Sequence, residues 1–456
     1  MHTYTEASAA TARRLAELCL ERLAMQAPLD RPLPPAELQL LAGDTVTEAG
    51  IGPAETVRLW DEVLAPACLS VDHPRYLSFI PGAPTKAAAA FDMLVGASSV
   101  YGGSWLEGAG AVYAENQALR WIADLVGLPA EAGGVFVQGG TIGNLSALVA
   151  GREAARHKRA LAATPQPARW AVLTTAETHS SVKHGLEVVM DVDVISVPGD
   201  DRGRLTGAAI RTTLGTLPEG VADGIFAVVA TAGSTNLGLV DDIATVAELT
   251  TERGWWLHVD GAYGGAGLAA PSVRHLYAGI EHADSFIVDP HKWLFAPYDC
   301  CALIYRDPVL ARAAHTQRAG YLDPVTVEGE WNPSDFAIQL TRRARGLPFW
   351  FSLAVHGTQA YSDAVEQTLA TARAGRKLID EAEHLRLLAE PDLSVLIFER
   401  VGWQQADYDA WSNRAMLQGF AFVTPTKHNG QVCTRFAIVN PVTTAEDLSL
   451  IIDSMR

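Results

Sequence analysis

The sequence predicts an α/β protein built on a mainly parallel sheet, and three features point to it. Between about Val135 and Tyr305, short apolar runs alternate with helical segments, as in Trp170-Ala171-Val172-Leu173, Ile225-Phe226-Ala227-Val228-Val229-Ala230 and Trp255-Trp256-Leu257-His258-Val259. Runs that are apolar on both faces suit parallel strands covered by helices. The chain has 456 residues, 48% of them hydrophobic and 19% charged, which is enough to bury a large core with smaller flanking pieces.

From the N-terminus, Thr5 to about Met25 reads as an amphipathic helix, ended by the joint Arg31-Pro32-Leu33-Pro34-Pro35. A second helix is expected over Gly52 to Leu64. Two such helices have no core of their own, so residues 1–75 should pack on the body or, preferably, on a second subunit. Residues 76–346 form the expected large domain. Residues 347–456 combine helical patterning with strand-like runs at Leu393-Ser394-Val395-Leu396-Ile397-Phe398 and Val432-Cys433-Thr434-Arg435-Phe436-Ala437-Ile438, and read as a small α+β domain.

Composition narrows the partners. With 52 acidic and 35 basic residues the formal charge is −17, which opposes binding to nucleic acid or to an anionic membrane surface. Cys19, Cys68, Cys300, Cys301 and Cys433 form no CxxC pair and no zinc spacing, so no metal is expected. The first residues lack the basic start and apolar run of a signal peptide, and no run of about 20 apolar residues is present to span a bilayer. A cytoplasmic address is the default.

Chemistry-bearing residues follow the apolar runs, where open α/β sheets gather their sites. Asp289-Pro290-His291-Lys292-Trp293 comes after Ser285-Phe286-Ile287-Val288. A lysine there can form an imine if its pKa is lowered enough to free the neutral amine, although a lone lysine is as readily a solvated surface group. In His258-Val259-Asp260-Gly261-Ala262-Tyr263, Asp260 can keep a pyridine-type nitrogen protonated, or simply cap a helix. Gln138-Gly139-Gly140-Thr141 opens a helical stretch whose N-terminus suits a phosphate, though many helices begin this way with nothing bound. His179 can stack over a ring or be a core histidine, and Thr231 can bond a phenolic oxygen or end a strand.

Taken together and in this order, Gln138-Gly139-Gly140-Thr141, His179, Thr231-Ala232-Gly233, His258 to Tyr263 and Asp289 to Trp293 resemble the group II pyridoxal-phosphate decarboxylases, the family of aromatic L-amino acid, glutamate, histidine and 2,4-diaminobutyrate decarboxylases. The resemblance runs from about His73 to the C-terminus. It implies the aspartate-aminotransferase fold (fold type I), a seven-stranded sheet in the large domain, and a homodimer with shared active sites. It assigns the Schiff base with pyridoxal 5′-phosphate to Lys292, the pyridinium to Asp260, the ring stack to His179 and the phenolic oxygen to Thr231. Gly140, Thr141 and His291 would hold the phosphate, and Ala262 would lie against the ring. Tyr321, in Arg318-Ala319-Gly320-Tyr321-Leu322-Asp323, matches the family's mobile-loop tyrosine that reprotonates Cα. Members lacking this tyrosine or the stacked histidine turn toward oxidative aldehyde formation, so Tyr321 and His179 favour simple decarboxylation.

The substrate end departs from the pattern. Phe79-Ile80-Pro81-Gly82 stands where aromatic members have Tyr-Phe-Pro-Thr, and Gly103 stands where they have a phenylalanine reaching across the dimer. Ile142 replaces the usual glutamate of the phosphate loop, and Pro348 replaces a lysine beyond the arginines Arg342, Arg343 and Arg345. Those arginines hold a lid or a helix, or form a solvated basic face. Phe79, Ile80, Tyr101 and Trp105 still offer apolar and ring contacts, which ranks an aromatic substrate first. Gly82 and Gly103 leave room for a 2,4-diaminobutyrate-like, acidic or carrier-tethered amino acid, the last with a carrier protein as partner. Transamination or oxidative deamination on the same cofactor, and a non-catalytic pyridoxal-phosphate-binding homologue, are the remaining alternatives.

Overall fold

The computed structural model describes residues 2–218, 220–318 and 329–456. Seven strands, β1 Gly133–Val137, β2 Ala171–Thr174, β3 Asp193–Ser196, β4 Ile225–Thr231, β5 Trp256–Asp260, β6 Ser285–Val288 and β7 Cys301–Tyr305, form one sheet in the order β1-β7-β6-β5-β4-β2-β3. β7 is antiparallel to both its neighbours, and the other pairings are parallel. Alternate residues serve two different cores: Phe136, Val228, Val259, Phe286 and Val288 pack on one face, Val135, Val137, Val229 and Ile287 on the other. Burial on both faces is why these strands read as continuous apolar runs.

The helices, in chain order, begin with α1 Glu6–Ala24, α2 Pro35–Ala42 and α3 Pro53–Leu59. α1 starts on a capping box between Thr5 and Ser8. The helix expected over Gly52 to Leu64 is regular only to Leu59 and continues as a wider turn over Trp60–Leu64. Ala9 is the buried residue of α1, and α2 buries none. Leu20, Leu40 and Trp60 stay exposed, while the Arg22–Asp72 ion pair, at 2.6 Å, ties α1 to the body.

Beyond them come α4 Lys86–Ser98, α5 Trp105–Val126, α6 Gly140–Leu161, α7 Ser180–His184, α8 Gly207–Leu214, α9 Ile243–Arg253 and α10 Pro308–His315. α6 starts three residues after β1 and runs beneath β4 to β7, so its first turn lies at the carboxyl edge of the sheet. The 35-residue α11, Leu347–Glu381, breaks its helical path at Gly357, where φ is +76°.

A second sheet of β8 Leu385–Leu387, β9 Val395–Arg400, β10 Pro425–His428 and β11 Gln431–Ala437 is antiparallel throughout, in the order β10-β11-β9-β8. It packs with α11, α12 Gln405–Leu417 and α13 Ala445–Asp453. Tyr76 and Leu77 join this layer: Leu77 N–H donates to Phe422 and its carbonyl accepts from Ala437. Among the described residues no helix is long and apolar enough to cross a membrane.

Candidate active site

The parallel register sets the site. Thr231 at the end of β4 pairs with Asp260 at the end of β5, and Asp260 pairs with Ile287 of β6, so three strands end level. The residues just past those ends line a cavity of about 380 Å³ with Gly139, Gly140 and Thr141 from the start of α6, His179 from the turn after β2, and Phe79 and Ile80 from the turn after Tyr76. Arg435 of β11 enters from the second sheet.

Asp260 is held from behind by a chain of hydrogen bonds with a single direction. Asn144 Nδ2 donates to Asp260 Oδ2 at 2.9 Å, which leaves Asn144 Oδ1 to accept from His258 Nε2 at 2.7 Å. His258 Nδ1 must then accept from the Ser285 hydroxyl at 2.8 Å, and Ser285 accepts from Trp256 Nε1 at 2.7 Å. Burial pushes His258 down to about 4 against the pull of Asp260, so its imidazole is neutral, as the chain requires. The other oxygen, Asp260 Oδ1, accepts the Ala262 N–H at 3.0 Å. Every donor in this chain ultimately points at Asp260, which fixes the orientation of its side chain.

Lys292 faces a different partner. Its Nζ lies 2.9 Å from Asp289 Oδ2. Burial works against its charge, but Asp289 and, behind it, Asp260 outweigh burial and hold its pKa above the ordinary lysine value. The sequence reading required a lowered pKa; the carboxylate three residues earlier reverses the direction in the cofactor-free chain. The main chain of Cys300 grips His291 at Nδ1, turning Nε2 toward Asp289 at 3.7 Å. Trp293 stacks on Tyr263 at 5.2 Å and donates to Thr368 of α11, while the Tyr263 hydroxyl meets Ser394, so both motifs are pinned to the second layer.

Whether pyridoxal phosphate fits can be judged from what is left unpaired. Among the described residues, Thr231 Oγ1 and Arg435 Nη1 are buried donors at the cavity without a hydrogen-bond partner. Each such atom is unfavourable by roughly 1–3 kcal/mol unless a ligand satisfies it. No side chain caps α6, so its first backbone N–H groups, at Gly140 and Thr141 on the cavity wall, are left for an anion. His179 caps α7, its Nδ1 accepting from Ser181 N at 3.3 Å, and its exposed ring lies at the cavity wall. These groups fit the phosphate, phenol, pyridine and aldehyde of the cofactor.

Of the residues read from the sequence, Lys292, Asp260, His179, Gly140, Thr141, Thr231, Ala262, His291, Phe79 and Ile80 come together here. Tyr101, Gly103 and Trp105 do not line this cavity within one chain. The room expected at the two glycines is closed: a Cβ on Gly82 would lie 1.7 Å from the His291 carbonyl, and one on Gly103 would lie 2.3 Å from the Tyr101 hydroxyl. Tyr321 lies outside the described residues. Arg342 and Arg345 are not a solvated face. Arg342 is buried against Glu115 at 2.7 Å, Arg345 pairs with Asp299, and Arg343 with Asp92 at 2.6 Å.

Sequence reasoning missed Asn144, Asp289, Tyr298 and Arg435, all of which line the cavity. Asp289 opens the quoted lysine motif, directly after the apolar run Ser285 to Val288, and Asn144 lies three residues past the quoted Gln138 to Thr141 motif, one turn into the helix it opens. Arg435 carried a signal too: a lone charge inside an apolar strand.

Known proteins bear on this geometry. The family model described as "Pyridoxal-dependent decarboxylase conserved domain" matches residues 56–401. The chain is 30% identical to an aromatic-L-amino-acid decarboxylase of Bacillus atrophaeus over 89% of its own length and 85% of that protein's. It is also 30% identical to an L-2,4-diaminobutyrate decarboxylase of Rhizobium meliloti, over 90% and 83%. The Oryza sativa TDC structure with PLP and tryptamine superposes with a TM-score of 0.89 at 22% identity, covering 100% of this chain and 99% of that one, which shows the common fold. With its mainly parallel seven-stranded sheet of fold type I, the chain belongs to the pyridoxal-dependent decarboxylase family.

Proposed function

We propose that the chain releases the α-carboxylate of an aromatic L-amino acid as carbon dioxide and leaves the amine, with Lys292 as the cofactor-anchoring residue. The observation that carries this reading is the convergence of Lys292, Asp260, Thr231 and His179 on one cavity that also holds the unpaired Arg435. Pyridoxal phosphate bound there supplies an aldehyde for amines and a ring that accepts the electron pair left when a bond at Cα breaks. Asp260, fixed by Asn144 and Ala262, would hold the pyridine nitrogen. Thr231 would hold the phenolic oxygen, His179 and Ala262 the ring, and Gly140, Thr141 and His291 the phosphate. Arg435 would dock the substrate carboxylate, and Tyr321 would supply the proton for Cα. Phe79 and Tyr298 give the cavity mouth its aromatic character. The Rhizobium meliloti relative keeps 2,4-diaminobutyrate as the second candidate.

The reading extends to the assembly. Exposed Leu20, Leu40 and Trp60 on residues 1–75 suit a partner subunit, and the absence of Tyr101, Gly103 and Trp105 from the single-chain cavity suits a site shared in a cytoplasmic homodimer. Residues 76–346 and 347–456 are the large and small domains of that protomer.

The test is the visible spectrum of wild type and Lys292→Ala, followed by carbon dioxide, amine and aldehyde measurements on aromatic amino acids and 2,4-diaminobutyrate. Wild type should show a band near ~420 nm that borohydride removes, and Lys292→Ala should lack it. A wild type that binds the cofactor but yields aldehyde rather than amine defeats the decarboxylation reading.

A further inference from the structure

Asp289 is the buried charge of the cavity for which the proposed reaction has no use. It is 2% exposed, with Oδ2 2.9 Å from Lys292 Nζ and 3.7 Å from His291 Nε2. The spacing is fixed by the backbone: Lys292 N–H donates to the Asp289 carbonyl at 2.9 Å, and Pro290 restricts the turn between them.

We infer that Asp289 is a positioning residue that holds Lys292 as an ion-paired ammonium until the cofactor arrives, and so sets the pH range and the rate at which Lys292 captures an aldehyde. This rests on the reading of Lys292 as the anchoring amine. A carboxylate in direct contact favours the charged form of a buried amine, whereas burial alone favours the neutral form. Only the neutral amine is a nucleophile. Lys292 must therefore give up one proton to solvent before its nitrogen adds to the aldehyde carbon; the C–N bond forms as the C=O bond opens, and the C–O bond then breaks as the oxygen leaves as water with the two remaining amine hydrogens. Asp260 also draws charge onto Lys292, but it is already engaged by Asn144 and Ala262. Two further titratable groups face the pair: the Cys301 thiol of β7, which hydrogen-bonds Asp289, and the Tyr298 hydroxyl across the cavity; burial pushes both up and keeps them neutral, so Asp289 is the charge in direct contact with the ammonium.

The experiment uses the cofactor-free full chain as wild type, D289N and D289E. Capture of pyridoxal and of pyridoxal phosphate is followed by absorbance across a pH series, and the borohydride-reduced adduct is located by mass spectrometry. D289N should capture pyridoxal about tenfold faster at neutral pH, with its pH profile moved down by at least about one unit. D289E should keep the wild-type profile. If D289N fails to fold, D289S removes the same charge and carries the same expectation. A rate that changes by one factor at every pH, or a gain with pyridoxal phosphate but not with pyridoxal, overturns the inference; in the second case the carboxylate acts on the phosphate. An adduct on Lys292 with an unmoved profile overturns the inference alone, whereas a wild-type adduct on another residue overturns the reading of Lys292 as well.

Discussion

The cavity wall formed by Thr231, Asp260, Asp289 and Lys292 hangs on the level ends of three adjacent parallel strands, whereas the wall at Phe79 and Ile80 hangs on one turn. On the first wall the groups are held by neighbours: Asp260 by Asn144, Thr231 by Asp241 through its N–H at 2.6 Å, and Lys292 and Asp289 by each other at 2.9 Å. On the second, Phe79 is 61% exposed, has a φ of +55° and meets only the tilted Phe422 ring at 6.1 Å among the described aromatic contacts. One chain thus completes the part of the site that is common to the chemistry and leaves open the part that selects a side chain. If, as proposed, the less supported wall selects the side chain, substitutions there should change KM before kcat.

If the strand-end wall acts as a unit, removing its charge is the most damaging change. Asp260→Ala should lower kcat by about 10²–10³-fold, the usual loss for one preorganised electrostatic partner, with KM little altered. Steady-state kinetics on the preferred amino acid checks this. A fall in affinity with kcat preserved would place Asp260 in binding and break the contrast between the walls.

The support behind that wall should also appear in stability. On the unfolded chain the His258 imidazole takes up a proton below about pH 6.5, but in the folded chain burial delays this to about 4. Acid therefore favours the unfolded state between those values, and stability is intact above them. Over that window the cofactor-free protein should lose up to about 3 kcal/mol through this group. Denaturant unfolding at several pH values should show a shallower slope in His258→Asn than in wild type, the remainder coming from His73, His291 and His315, which burial also pushes down. An equal slope in both would mean that His258 contributes nothing to the acid sensitivity.

The same contrast explains what the sequence disclosed. Buried strands such as Ile225–Thr231 show themselves as apolar runs because both faces are covered, and Lys292, Asp260 and Thr231 follow those runs directly. β7 is different. Its run Cys301–Tyr305 returns antiparallel between β1 and β6 soon after the lysine motif, and periodicity carries no sign of direction. The closed space at Gly82 and Gly103 was illegible because a glycine reads as room, whereas here the neighbouring backbone and Tyr101 already fill it. Arg435 escaped because it joins the cavity only when the second sheet docks, far from the motifs in sequence.

Arg435 lines the same cavity from the second sheet, and its loss should have the mildest effect of these changes. Burial pushes its pKa down to about 10, and among the described residues Nη1 has no partner, as suits a group kept for an incoming anion. A charged hydrogen bond contributes about 1.5–3 kcal/mol, so Arg435→Gln should raise KM for the amino acid by roughly tenfold to a hundredfold. The amine product has no carboxylate, and its inhibition constant should stay at the wild-type value. If substrate and product weaken together, Arg435 shapes the cavity rather than docking a carboxylate, and selection of the α-carboxylate must come from the strand-end wall.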